Sequence, residues 1–392
     1  MKKNIILILF VILSLSFNSC TKDSNPVEAN DNGKNEPVSF LAYYKPGNEM
    51  VLGATPLIAL LKFENNQLSY TSFLNAYPPN SMTANADING NVLAMGLHRD
   101  FDDDGGKGLY LELNSENFYY LPLVPPTGNN DYSYFQPTTA DVSANGQFII
   151  YSSATNDRSY GDEYKPFLVR YNIVTGDSLV AISAKAFALS QPEKGSDTET
   201  GIIERNIFAS PDGKYAYGDI MAFGLDGNSY HYDYYILFRY EFETRQYTRL
   251  GEINDNDVNI IAMGSERTWI LYSNKGQQKL LDLTTNTVTY PNINTVNLNK
   301  NSWGINGACI GSSSGNLYYK DFVNNNEVAV CQPNTYGGVY NAMFSKDNGK
   351  IYFTLNGSNN KYLCVTDGIS ENSKYDTLGT YPEEFYDIIL VK

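Results

Sequence analysis

From Val38 onward the chain repeats one unit of about fifty residues, and that period decides most of what it can fold into. A short apolar strand meets a polar turn, a strongly apolar strand follows, and a looser pair of strands completes the unit. The clearest copy runs Asn206-Ile207-Phe208-Ala209, then Ser210-Pro211-Asp212-Gly213-Lys214, then Tyr215-Ala216-Tyr217-Gly218. Pro presets φ and Gly accepts a positive φ, so Pro-Asp-Gly turns the chain for a physical reason. The same place in the unit recurs as Ile88-Asn89-Gly90-Asn91, Ser143-Ala144-Asn145-Gly146 and Ser345-Lys346-Asp347-Asn348-Gly349. Four strands per repeat at this period are the blades of a β-propeller.

Blades 2 to 7 fall near 82–124, 136–184, 203–252, 257–292, 296–333 and 340–380. Two pieces remain. Residues 38–74 hold three strands without an inner partner, and Tyr386-Asp387-Ile388-Ile389-Leu390-Val391 is a lone strand at the other end. Joining them makes blade 1 and removes the open edge that invites pairing with another chain. The expectation is therefore an all-β, seven-bladed propeller over 37–392, monomeric, with six blades as the alternative. The 32 tyrosines suit this, because tyrosine forms strands and carries a polar tip. A net charge of −15 excludes nucleic acid as the main partner, since that needs a basic face.

The turn Ser210-Pro211-Asp212-Gly213-Lys214 with its apolar strand resembles the repeat of TolB-like and YncE-like propellers. That resemblance implies a fold and little about chemistry. At the N-terminus, Lys2 and Lys3 precede the apolar run Ile5 to Leu13, too short for a bilayer of about 30 Å, so residues 1–19 read as a signal peptide. Ser16-Phe17-Asn18-Ser19-Cys20 resembles the lipobox of bacterial lipoproteins, whose cysteine is acylated. The following Thr21-Lys22-Asp23 is similar to the signal that sends Bacteroidota lipoproteins to the outer surface. These resemblances imply an outer-membrane, cell-surface protein held by lipid on Cys20, with 20–36 as a flexible tether. Cys309, Cys331 and Cys364 each sit in an apolar run and read as buried thiols.

In a propeller, the connections between second and third strands share one face with those between blades. Here the long polar ones cluster on consecutive blades: Arg99 to Lys107, Asn129 to Tyr134, Asn156 to Tyr164, Ser190 to Thr200 and Asp226 to Tyr234. Long connections on a rigid scaffold are where binding residues concentrate. Tyr132, Tyr134, Arg158, Tyr160, Tyr164, Tyr230, His231, Tyr232 and Asp233 are the candidate ligand-binding residues. Tyrosines among Asp, Asn and Ser suit a sugar ring, a peptide or another amphipathic small molecule. Asp100, Asp102 and Asp104, with Gly105, have the spacing of a calcium loop. The closing Glu is missing, with Leu111 in its place and Glu112 one residue late, so a solvated acidic tip stands equally.

Catalytic sets are poor. Only His98 and His231 could serve a nucleophile. The Gly-x-Ser-x-Gly pattern of Gly311 to Gly315 precedes the strand-like Asn316 to Tyr319, whereas a nucleophile elbow needs a helix there. The leading expectation is a non-catalytic surface lipoprotein that captures a glycan, peptide or other nutrient for an outer-membrane transporter. A glycan lyase or hydrolase and a protein-interaction scaffold are the alternatives.

Overall fold

The computed structural model describes residues 37–44, 57–65, 67–75, 84–86, 92–95, 109–112, 117–122, 132–134, 140–157, 163–193, 201–226, 229–291, 304–311, 315–333, 338–345, 347–356, 360–382 and 385–390. All of them fall in one unit, Lys34–Lys392. They form seven antiparallel sheets, numbered here in chain order. The first joins Phe385–Leu390, Val38–Tyr44, Leu57–Glu64 and Gln67–Asn75, in that order across the sheet. The second lies within 84–120, the fourth within 201–249, the fifth within 258–289 and the seventh within 339–382, each a four-stranded meander. The sixth has three strands between Gly307 and Cys331. In the third, Tyr132–Tyr134 and Ala140–Val142 both pair with Phe148–Asp157 and share the innermost position. Consecutive meanders of this kind make a β-propeller scaffold.

The turn signature has a local cause. Ser143, Ser210 and Ser345 each accept a backbone N–H five residues on, from Phe148, Tyr215 and Lys350, at 2.9 Å. Each hydroxyl also donates to the side chain two residues on: Asn145 at 2.6 Å, Asp212 at 2.7 Å and Asp347 at 2.6 Å. The reversal needs a positive φ, supplied by Gly146 (67°), Gly213 (71°) and Asn348 (55°).

The core lies between sheets rather than around one centre. Ile150 and Leu168 meet Ile207, Ile220 and Phe238 between the third and fourth. Tyr217 and Leu237 meet Ile270 and Tyr272 between the fourth and fifth. Phe40 and Leu61 meet Leu363 and Tyr381 between the first and seventh. Each such side chain contributes about 1.5–3 kcal/mol on burial. Many tyrosines pack here, and two of the most buried hydroxyls donate to backbone carbonyls: Tyr151 to Pro122 O at 2.7 Å and Tyr234 to Ala188 O at 2.6 Å. Cys309, Cys331 and Cys364 are buried, and no disulfide joins them.

Candidate functional site

Strand length singles out two neighbouring sheets. Counted from the turn that precedes it, the second strand runs six residues in the fifth and seventh sheets and five in the sixth. In the third it runs ten residues, Phe148–Asp157, and in the fourth twelve, Tyr215–Asp226. Their partners Glu163–Asn172 and Ser229–Glu241 run with them. At about 3.3 Å per residue, these strands outreach the six-residue strands of the fifth and seventh sheets by roughly 13–20 Å.

This changes the reading of three connections. Asn156, Asp157, Glu163 and Tyr164, expected in a loop, are ladder residues, with Asn156 opposite Tyr164. Ser229 to Tyr234 belong to a strand, with Tyr230 opposite Leu225, His231 opposite Gly224 and Tyr232 opposite Phe223. A register shift follows at Ala222/Phe223, where Ala222 faces Tyr234. Tyr132 and Tyr134 form the upper part of the innermost position, opposite Asn156 and Ala154. The Asp, Asn and Ser content suggested loops, but alternating tyrosines favour the pleated ladder once a partner strand lies alongside. Tyr132 and Tyr164 thus stand on either side of Asn156 in one cross-strand row. Arg158, Tyr160, the Asp100, Asp102 and Asp104 spacing, His98 and Cys20 lie outside the described residues. Among the described residues no group of three or more His, Cys, Asp or Glu is placed to hold a metal ion. Gly311 and Leu317 pair across an antiparallel hairpin, which is not the strand-to-helix turn of a nucleophile elbow.

A polar network, unforeseen in the sequence, underlies the same end. Arg249 donates to both oxygens of Glu193, at 2.7 and 2.6 Å, and to the carbonyls of Ile253 and Asp255. Burial opposes ionisation of Glu193, but the Arg249 hydrogen bonds outweigh it and hold the carboxyl below its ordinary value. Buried Asp255 accepts from Tyr272 at 2.6 Å, Asn274 at 2.8 Å and Lys279 at 2.5 Å. Lys279 also donates to Glu252 at 2.6 Å, and Tyr290 donates to Glu252 at 2.7 Å. Burial works against the Lys279 ammonium, yet its two carboxylate partners raise its pKa. The network ties the connection after the third sheet to the fourth sheet's outer strand, and the next connection to the fifth sheet. It braces the fourth sheet's outer strand where Arg249 lies opposite Phe238, below that sheet's long hairpin. No spacing announces these acids, because their partners are brought by the fold.

No family model matches the chain, and no curated protein does. Similar solved structures include TolB from Acinetobacter baumannii, with 10% identity and a TM-score of 0.41, covering 90% of this chain and 66% of that one. An oligogalacturonate lyase in complex with manganese gives 12% and 0.47, covering 88% and 91%. An oligogalacturonate lyase from Vibrio parahaemolyticus gives 8% and 0.48, covering 81% and 88%. Likeness at this level carries no chemistry across, and the fold rests on the sheet order above.

Proposed function

We propose that this chain is a surface-exposed, lipid-anchored binding protein that captures an amphipathic ligand, a glycan or a peptide, on the end where two hairpins project. The observation that carries it is the extension of Tyr215–Asp226 with Ser229–Glu241, and of Phe148–Asp157 with Glu163–Asn172, on adjacent sheets at one end. Strands hold a binding constellation more rigidly than loops, and Tyr132, Tyr134, Tyr164, Tyr230, His231, Tyr232 and Asp233 all stand on strands. In this reading the seven sheets are seven blades of one ring over 37–392. The ring closes where the C-terminal strand pairs beside Val38–Tyr44, with Phe40 opposite Leu390 and Tyr44 opposite Phe385. Residues 1–19 are removed, Cys20 carries the lipid, and an outer-membrane transporter receives the ligand.

Replacing Tyr160, Tyr164, Tyr230 and Tyr232 together by Ala tests the assignment. Binding on a glycan and peptide array is expected to vanish while the thermal midpoint moves by only a few degrees. Unchanged binding would place the site elsewhere, and turnover of an arrayed polysaccharide would replace capture by catalysis.

A further inference from the structure

The fourth sheet carries a buried carboxyl that the binding surface does not use. Glu204 stands on Gly201–Ala209, only 1% exposed, and one of its oxygens, Oε2, has no hydrogen-bond partner among the described residues. The other oxygen accepts from the Tyr247 hydroxyl. That hydroxyl also lies 3.2 Å from the Ile182 carbonyl oxygen. Ile182 lies at the start of the segment 181–193, which leaves the third sheet, forms the helix Lys185–Leu189 and wedges against the fourth sheet through Ala181, Ala184 and Ala188. Tyrosines hold this segment: Ile182 N–H donates to Tyr240 Oη at 3.2 Å, Tyr234 donates to Ala188 O, and Phe187 stacks on Tyr247 at 5.4 Å.

The hydrogens do not suffice in both protonation states. Tyr247 has one hydroxyl hydrogen and two acceptors, Glu204 Oε1 and Ile182 O. If Glu204 is ionised, the carboxylate takes that hydrogen, because charge-assisted bonds are the stronger, and Ile182 O is left facing an oxygen lone pair. If Glu204 is protonated, its own O–H donates to Tyr247 Oη, and Tyr247 donates onward to Ile182 O. The chain from acid to segment is then complete.

We propose that a proton on Glu204 latches residues 181–193 to the fourth sheet through Tyr247, and that loss of this proton to solvent water loosens them. Among the described residues, no other donor pairs with the carboxylate. Ile220 lies opposite it, and Ile236, Phe238 and Tyr240 pack in the same cluster, as do Ile150 and Leu168 of the third sheet. Arg249, two residues beyond Tyr247, is committed to Glu193 and to backbone carbonyls. Arg170 is held between the Phe148 and Phe242 rings, Lys185 is exposed, and Arg205 pairs with Asp219. Burial pushes the Glu204 carboxyl up to about 7, with the Tyr247 hydrogen bond pulling the other way, so the latch operates near neutral pH. The device acts whatever the hairpins bind.

Hydrogen exchange on the whole chain tests it, with rates normalised to intrinsic exchange at about pH 5.5 and about pH 8.5. Amides of 181–191 are expected to lose about five-fold in protection at the higher pH, the worth of one net hydrogen bond, while the strand Trp269–Asn274 stays constant. Glu204→Gln keeps a donor for Tyr247 Oη at every pH, so its 181–191 protection is expected to be high and flat. Tyr247→Phe is expected to be low and flat. A wild-type profile for 181–191 that does not change with pH, or a Glu204→Gln profile that keeps the wild-type step, would overturn the proposal. Should Glu204→Gln fail to fold, the wild-type profile against the Trp269–Asn274 control decides alone.

Discussion

Asp141 offers the sharpest test of how the sheets are held to one another. It is fully buried on Ala140–Val142, the lower innermost strand of the third sheet. Oδ1 accepts from its neighbour Val142 N–H at 2.9 Å and from Arg267 Nη2 at 2.8 Å; Oδ2 accepts from Ala209 N–H at 2.8 Å. One carboxylate therefore joins three consecutive sheets, since Ala209 ends the fourth sheet's inner strand and Arg267 lies in a turn of the fifth. Asp141→Ala removes an acceptor from three donors and leaves a guanidinium side chain only 12% exposed without its counter-ion. Breaking a buried pair from one side costs about 3–5 kcal/mol. Arg267→Ala costs less, because the carboxylate keeps two backbone donors, and the pair should couple by about 1.5–3 kcal/mol in a double-mutant cycle. Urea denaturation of the two single variants and the double variant, followed by tyrosine fluorescence and circular dichroism, gives the numbers. A cost for Asp141→Ala below about 1 kcal/mol, or strict additivity with Arg267→Ala, would refute the staple.

Three further outcomes follow from the same physics. At Gly213, φ is +71° and a Cβ would come within 2.3 Å of the Phe148 ring, whereas at Gly176, φ is +76° with nothing within 4 Å. Gly213→Ala should therefore cost well over 2 kcal/mol and Gly176→Ala about 1 kcal/mol, read from denaturation midpoints. Burial pushes the Cys331 and Cys364 thiols up to about 12, so neither should react with a thiol reagent at pH 8 until the chain unfolds. Glu204, raised to about 7 by burial, binds its proton more tightly folded than unfolded, where a Glu titrates near 4.3. Its contribution is fully present below about pH 4.3 and is lost as pH rises through about 7, so the wild-type melting temperature should fall over that window relative to Glu204→Gln.

The parts of this molecule that were legible in the sequence are those with local causes. Ser143, Ser210 and Ser345 each organise a turn with the side chain two residues on and an amide five residues on, so the repeat could be read directly. The lone strand near residue 388 could be matched to 38–44 by counting strands, and the two do pair. Tyr230 and Tyr232 were expected in a loop because Asp226, Asn228 and Asp233 surround them; only the facing strand Tyr215–Asp226 makes them ladder residues. Asp141, Glu204 and Asp255 were invisible among 43 acids, because what distinguishes them is burial and partners supplied by the fold. Arg267, for one, lies 126 residues from Asp141.

The most direct test of the central claim is to shorten the fourth-sheet hairpin. Residues 223–233 would be replaced by a two-residue turn between Ala222 and Tyr234, which keeps the cross-strand pair and the core beneath it. The shortened and wild-type chains would then be compared on one glycan and peptide array. The account predicts a ligand bound by the wild type and lost by the shortened chain, with the thermal midpoint shifted by only a few degrees. Full binding by the shortened chain, or no ligand bound by the wild type, would contradict it.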